Sequence, residues 1–330
     1  MIEEFKPPFW LKNGLLMSWY VTKKLKKIQI ETLNYLEYIF LGAQKVPIFT
    51  KVAIPKNAKG TIVATYGITG DLENQYMLDI LAQKSFKAGY AVVLFDWRAH
   101  GKTAELSDTL TSDGIYEGDD FVLISKSAKE KGCPAPFWFM GYSLGGQLAL
   151  WGLSAAQKES NTDIGGGAVI CPSLDSERSL TYLGRNLFGR FIEYLITKDL
   201  KKLARNIAER YPEAIDLKAI EKVDNIRSFD QEIIVKKLGF NTSKDYYDAT
   251  NTLNILPKIT LPTLIIYSKD DPLFDPNIAN DLYNLCKINP FIKLFLTRYG
   301  GHVGYLSAKN NKETDCWWAW NRVLDFIESN

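Results

Sequence analysis

The sequence predicts an α/β protein with a mostly parallel central sheet flanked by helices and a helical lid inserted late in the chain. Three observations carry that expectation. From Thr61 onward, short continuous apolar runs alternate with helix-forming stretches, the pattern of parallel strands buried on both faces. Phe137 to Trp151 reads as an apolar strand, a turn of small residues and a helix. Between the apolar runs ending at Cys171 and starting at Thr263 lie about ninety residues, where a crossover between parallel strands needs only a dozen or more.

Residues 5–20 combine prolines with large aromatics and predict an ordered arm lying on the domain. Lys23, Lys24, Lys26 and Lys27 then read as a solvated basic face, with a lipid-headgroup patch the lesser reading. Residues 29–54, rich in β-branched and aromatic side chains, predict strands that open the sheet. Thr61–Tyr66 is a buried strand ending in Gly67-Ile68-Thr69-Gly70, with a helix over 74–88 behind it. Ala91–Phe95 is the next strand, and a helix over 114–131 leads to the strand at Phe137. Gly167–Cys171, Thr263–Tyr267 and Ile292–Leu296 complete the series. Arg178 to Asp248 is amphipathic and helix-rich, which predicts a lid over the strand ends without a second independent core. The chain thus divides into residues 1–172, the arm and first part of the core; 173–250, the lid; and 251–330, the rest of the core.

With 330 residues and 46% hydrophobic side chains, the chain can bury a large core. Forty basic residues against 38 acidic ones leave a formal charge of +2, so no global field draws nucleic acid. Cys133, Cys171, Cys286 and Cys316 lack paired spacing, which predicts reduced thiols in a cytosol-like compartment. With only His100 and His302, the sequence argues against a histidine-rich metal centre. Met1-Ile-Glu-Glu is no basic leader, and no run approaches the eighteen or so apolar residues that span a bilayer. The expectation is a soluble cytoplasmic protein.

Gly141-x-Ser143-x-Gly145 fits a nucleophile elbow, in which a serine on a strained turn points its hydroxyl out of the sheet. Three fixed letters arise by accident in roughly one chain of this length in ten, so the context must carry the reading. Gly141 and Gly146 also have the spacing of a phosphate-binding loop, but Gln147 stands where its lysine must be. A serine hydroxyl needs a base, and the base a carboxylate, in the chain order Ser, Asp or Glu, His. Only His302 follows Ser143, in a glycine-rich loop after the last strand. Asp270 and Asp271 follow the preceding strand; Asp271 is favoured because it reaches back under the histidine, leaving Asp270 as a turn or cap residue. Two backbone N–H groups should hold an oxyanion, one from Leu144 and one from Ile68. Each piece alone reads as an ordinary turn; their joint order at successive strand ends makes a site. His100 reads as structural support for the loop above its strand, Trp317, Trp318 and Trp320 as core packing, and Lys198, Lys201, Lys202 and Arg205 as a solvated face, with membrane contact the lesser reading.

With these motifs in place, the chain resembles the α/β hydrolases of the YheT and embryogenesis-associated-protein type, a family with eukaryotic lipid-hydrolysing members. The resemblance rests on Pro7-Pro8-Phe9-Trp10-Leu11-Lys12-Asn13-Gly14, Gly141-Tyr-Ser143-Leu-Gly-Gly, Asp245-Tyr-Tyr-Asp-Ala-Thr250, Asp270-Asp271-Pro272 and Gly300-Gly-His302-Val-Gly. It implies a Ser143, Asp271, His302 triad, and it supports the second aspartate. One departure is Tyr66-Gly67, where the family usually has His-Gly.

The function expected is hydrolysis of a carboxylic ester through an acyl-enzyme, with no metal or organic cofactor. The partner is a small acyl or otherwise lipophilic ester, not nucleic acid. The same machinery would serve a thioester, an amide or acyl transfer, and the fold alone would serve a lipid-binding protein without turnover.

Overall fold

The eight strands are β1 (Leu36–Leu41), β2 (Pro47–Ala53), β3 (Thr61–Thr65), β4 (Ala91–Phe95), β5 (Phe137–Tyr142), β6 (Ile164–Ile170), β7 (Thr263–Ser268) and β8 (Ile292–Thr297). They form one sheet in the order β1-β2-β4-β3-β5-β6-β7-β8, in which β2 alone runs against its neighbours. The computed structural model describes residues 5–25, 30, 32–308 and 315–330. The reading of Met1 to Glu4, of Lys26 and Lys27, and of the first residues of the 29–54 stretch lies outside the described residues. The rest of that stretch supplies the β1–β2 hairpin that opens the sheet.

Every residue of β3, β4 and β5 is buried, as continuous apolar strands under two helical layers must be. Consecutive residues of β5 show the two layers directly. Phe139 packs on Phe121 with ring centroids 5.0 Å apart, and Trp138 meets Phe326 edge-on at 6.1 Å. Side chains alternate along a strand, so these partners lie on opposite faces.

The helices that bracket the sheet are α1 (Gly14–Trp19) in the amino-terminal arm, then α2 (Tyr76–Lys87), α3 (Thr103–Leu106), α4 (Glu117–Glu130) and α5 (Leu144–Lys158). After β6 come α6 (Ser176–Leu183), α7 (Leu187–Arg210), α8 (Leu217–Glu221), α9 (Ile226–Phe229) and α10 (Ser243–Thr250). The chain then returns to the sheet, where α11 (Pro276–Ile288) joins β7 to β8 and α12 (Trp318–Glu328) follows. Trp318 and Trp320 are buried and Trp317 half-buried, in keeping with their reading as core packing.

Side chains start the helices of the inserted segment. Asp175 accepts the amide of Arg178, Asn186 that of Gly189, and Thr242 that of Asp245, each satisfying a donor the helix leaves free. The insertion buries an apolar cluster of its own, including Leu200, Ile207, Ile220, Phe229 and Tyr246. The sequence expects no second independent core there, and the cluster does not stand alone, because Ala99 and Leu110 from the β4–α4 connection complete it. Lys198, Lys202 and Arg205 are exposed, as read; Lys201 instead donates 2.6 Å to the Val223 carbonyl, fastening α7 to the turn after α8. Among the described residues, no helix is long and apolar enough to cross a membrane.

Candidate active site

Ser143 sits between β5 and α5 with φ 55° and ψ −129°, a conformation that non-glycine residues adopt only when their surroundings enforce it. Close contact explains the enforcement. A Cβ on Gly141 would lie 2.0 Å from the Gly145 carbonyl oxygen, and one on Gly145 would lie 2.4 Å from the Tyr66 carbonyl oxygen. Only glycine lets strand, turn and helix approach this closely. The Ser143 amide continues the β5–β6 ladder by donating to the Ile170 carbonyl at 3.0 Å.

From that turn a hydrogen-bond chain runs through three loops. Ser143 Oγ lies 2.9 Å from His302 Nε2, and His302 Nδ1 lies 2.8 Å from Asp271 Oδ2. Asp271 Oδ1 accepts the Leu273 amide at 2.9 Å, which fixes the carboxylate plane. The Asp271 side chain is 2% exposed and that of His302 15%, so the base is open to a small reactant while its acid partner is not. Phe274 lies edge-on to the imidazole at 5.2 Å.

Asp270 faces elsewhere. Its Oδ1 accepts Ser268 Oγ at 2.5 Å and the Gly301 amide at 2.9 Å, while burial raises its pKa. It is more than a turn residue, because it braces the loop that carries His302. Cys171 lies with Asp271 and His302, their ligand atoms all within 4.8 Å of one another, the described grouping nearest to a metal site. Two of the three are joined by the bond above, and burial raises the Cys171 thiol well above its usual pKa, which keeps it a protonated, poor ligand.

The loop after β3 stands beside the serine. A Cβ on Gly67 would come within 3.2 Å of Ser143 Oγ, and Ile68 and Leu144 both line the same cavity as Ser143. Two side chains that sequence reasoning leaves loosely placed hold this loop. His100 Nε2 accepts the Thr69 amide at 3.2 Å while Nδ1 meets the Arg98 carbonyl at 3.0 Å, which sets the tautomer. Its ring stacks on Trp97 at 3.6 Å, and burial lowers its pKa to about 4. His100 is therefore neutral support, as its place in the sequence suggests. Tyr66, at the position where the sequence departs from its resemblance, is fully buried and donates to Asp96.

The cavity encloses about 120 Å³ and runs from Ser143 under the inserted helices, where Leu180, Ile196, Leu200, Leu203 and Phe229 line it. Asp113 and Asp230 also reach its wall, and the sequence offers no motif that marks them. Burial and their proximity to other carboxylates raise both, Asp113 to about 7. Tyr247 donates to Asp230 at 2.5 Å.

The comparisons with known proteins agree with this architecture. A family model described as "alpha/beta hydrolase fold" matches residues 60–308. The protein named "Putative esterase slr0264" from Synechocystis sp. is 43% identical, over 98% of this chain and 94% of its own length. "Putative esterase YheT" of Escherichia coli is 28% identical, over 76% of this chain and 72% of its own. The solved structure of the Pyrococcus furiosus esterase Pf2001 shares the fold, with a TM-score of 0.58 and 19% identity over 98% of both chains. With the family model matching most of its length and a 43%-identical relative matching nearly all of it, the chain belongs to the α/β-hydrolase family, in the group that contains YheT.

Proposed function

We propose that the protein hydrolyses carboxylic esters, with Ser143 as nucleophile, His302 as general base and acid, and Asp271 as the partner that orients the imidazole. The observation that carries the reading is the unbroken chain Ser143 Oγ, His302 Nε2, His302 Nδ1, Asp271 Oδ2, with links of 2.9 and 2.8 Å. His302 takes the hydroxyl proton as Ser143 attacks the ester carbonyl, then gives it to the departing alcohol. Water repeats the cycle on the acyl-serine and releases the acid. The oxyanion is held by the N–H groups of Leu144 and Ile68, which border the same cavity. Every step uses side chains, backbone amides and water, so no metal or organic cofactor enters.

The apolar lining points to an acyl or otherwise lipophilic ester, and α6 to α10 serve as a lid that keeps water from the chain. That the relatives reported above are named as esterases supports ester cleavage over acyl transfer. The four free cysteines suit a reducing compartment such as the cytoplasm.

A fluorophosphonate probe tests the reading. The expected result is a single adduct on Ser143, absent in Ser143→Ala and slow to form in His302→Ala, with turnover of ester probes faster than of matched thioesters and amides. Folded wild-type protein that leaves Ser143 unmodified would overturn it.

A further inference from the structure

We infer that Ser18, in the amino-terminal arm, is a positioning residue for His302, holding it through the main chain. The inference rests on the triad reading above. His302 N–H donates to Ser18 Oγ at 2.7 Å, and the Ser18 hydroxyl donates in turn to the Gly14 carbonyl at 2.6 Å. The hydroxyl's one proton is thus committed to its own helix, which leaves a lone pair aimed at the loop.

The loop needs such an anchor. From Gly300 to Tyr305 it has neither strand nor helix, and φ is positive at Gly300, Gly301, Val303 and Tyr305. At Val303 the value is 61°, which a β-branched residue keeps only when neighbouring structure imposes it. Two consecutive amides reach outside the loop for that support: Gly301 to Asp270 and His302 to Ser18. Asp271 and Ser143 fix the imidazole at its two nitrogens, but neither fixes the Cα from which the ring hangs.

The arm is shaped to this contact. A Cβ on Gly301 would lie 2.3 Å from the Gly14 carbonyl oxygen, and one on Gly14 would lie 1.8 Å from the Asp270 carbonyl oxygen. Helix α1 therefore touches the loops of both the acid and the base. Met17, fully buried, lies under Gly304. The Phe9-Trp-Leu-Lys-Asn-Gly14 motif leads into this helix, and Asn13 caps its first turn by accepting the Leu16 amide.

Without the hydroxyl, the His302 amide loses its acceptor and the loop can relax. A shift of about 1 Å at a reacting group can cost on the order of a hundredfold in rate. The test compares Ser18→Thr with Ser18→Val in the full chain, because the two side chains share a shape and differ in the hydroxyl. The readouts are kcat and KM on a nitrophenyl ester, and the rate of fluorophosphonate labelling. Ser18→Val should lower kcat and labelling about ten- to hundredfold with KM within about twofold, while Ser18→Thr stays near wild type. Thr22→Ala is the control: among the described residues the Thr22 hydroxyl donates to the Ser18 carbonyl one turn away, so its loss loosens the helix without touching the loop. Equal kcat in Ser18→Thr and Ser18→Val, an effect confined to KM, or an equal loss in Thr22→Ala would each overturn the assignment. A wild-type protein that fails to label would overturn the hydrolase reading and this inference with it.

Discussion

Tyr66 donates its phenolic proton to Asp96 across 2.5 Å, and so ties the turn beside Ser143 to the turn after β4. Asp96 also accepts the amides of Leu72 and Lys102, both at 2.9 Å, which makes one carboxylate the meeting point of the loops after β3 and β4.

Tyr66→Phe should therefore weaken the fold and slow turnover together. Burial raises the Asp96 carboxyl to about 6, and the bond from Tyr66 works against that shift by stabilising the charged form. The ionised carboxylate is thus costly once pH rises past 6, and more so when the phenol is gone. We expect a loss of about 1.5–3 kcal/mol at pH 8 and a smaller one at pH 5. Urea unfolding at the two pH values checks it; an equal midpoint shift at both would refute the assignment of the proton.

Asp271→Asn should abolish most activity, while Asp270→Asn should not. The first removes the partner that sets the imidazole tautomer, a loss on the order of 10³–10⁴ in kcat. The second leaves that contact and only loosens Gly301, for an expected loss of about tenfold. Steady-state kinetics on one ester ranks the two, and the reverse ranking would exchange their roles.

His100 should make the protein acid-sensitive. Its pKa is held down to about 4 in the fold against 6.5 when unfolded, so the unfolded chain binds a proton that the folded chain refuses. This contribution is complete above pH 6.5 and is lost as pH falls toward 4. His100→Asn keeps a donor and an acceptor but does not titrate. From pH 7 to pH 5 the wild type should lose about 2 kcal/mol more than the variant. Denaturant titrations that move in parallel would refute this.

Leu203→Trp should shorten the preferred acyl chain. Leu203 is half-buried on α7 and lines the cavity, so an indole there fills volume without opening a void. KM for long-chain nitrophenyl esters should rise about tenfold or more while short-chain esters are little affected. An unchanged chain-length profile would mean that the acyl group lies elsewhere.

The sheet and the inserted helices were legible because continuous apolar strands and amphipathic helices have distinct periods, and the long gap after Cys171 had no other use. The juxtaposition of Ser143, Asp271 and His302 was legible because chain order in this topology dictates which loops share a rim. Asp113 and Asp230 were not, since they meet only when the insertion folds back over the β4–α4 connection. The role of Asp270 was hidden as well. Its neighbour explained the Asp-Asp-Pro turn sufficiently, and nothing local reveals a carboxylate that bonds an amide 31 positions on. Lys201 reads as solvated for a similar reason, because a helical wheel shows the face of a lysine but not a carbonyl brought to it by the turn after α8.

The bond between His302 and Ser18 joins residues 284 positions apart. Long sequence separations of this kind delay the completion of a fold, because the intervening loop must close before the contact rewards it. Ser143 and His302 are themselves 159 positions apart, so a growing chain carries the serine long before it carries the imidazole. On the function proposed above, a chain truncated before residue 302 keeps the serine and much of the cavity lining but lacks the base, and would cleave no ester.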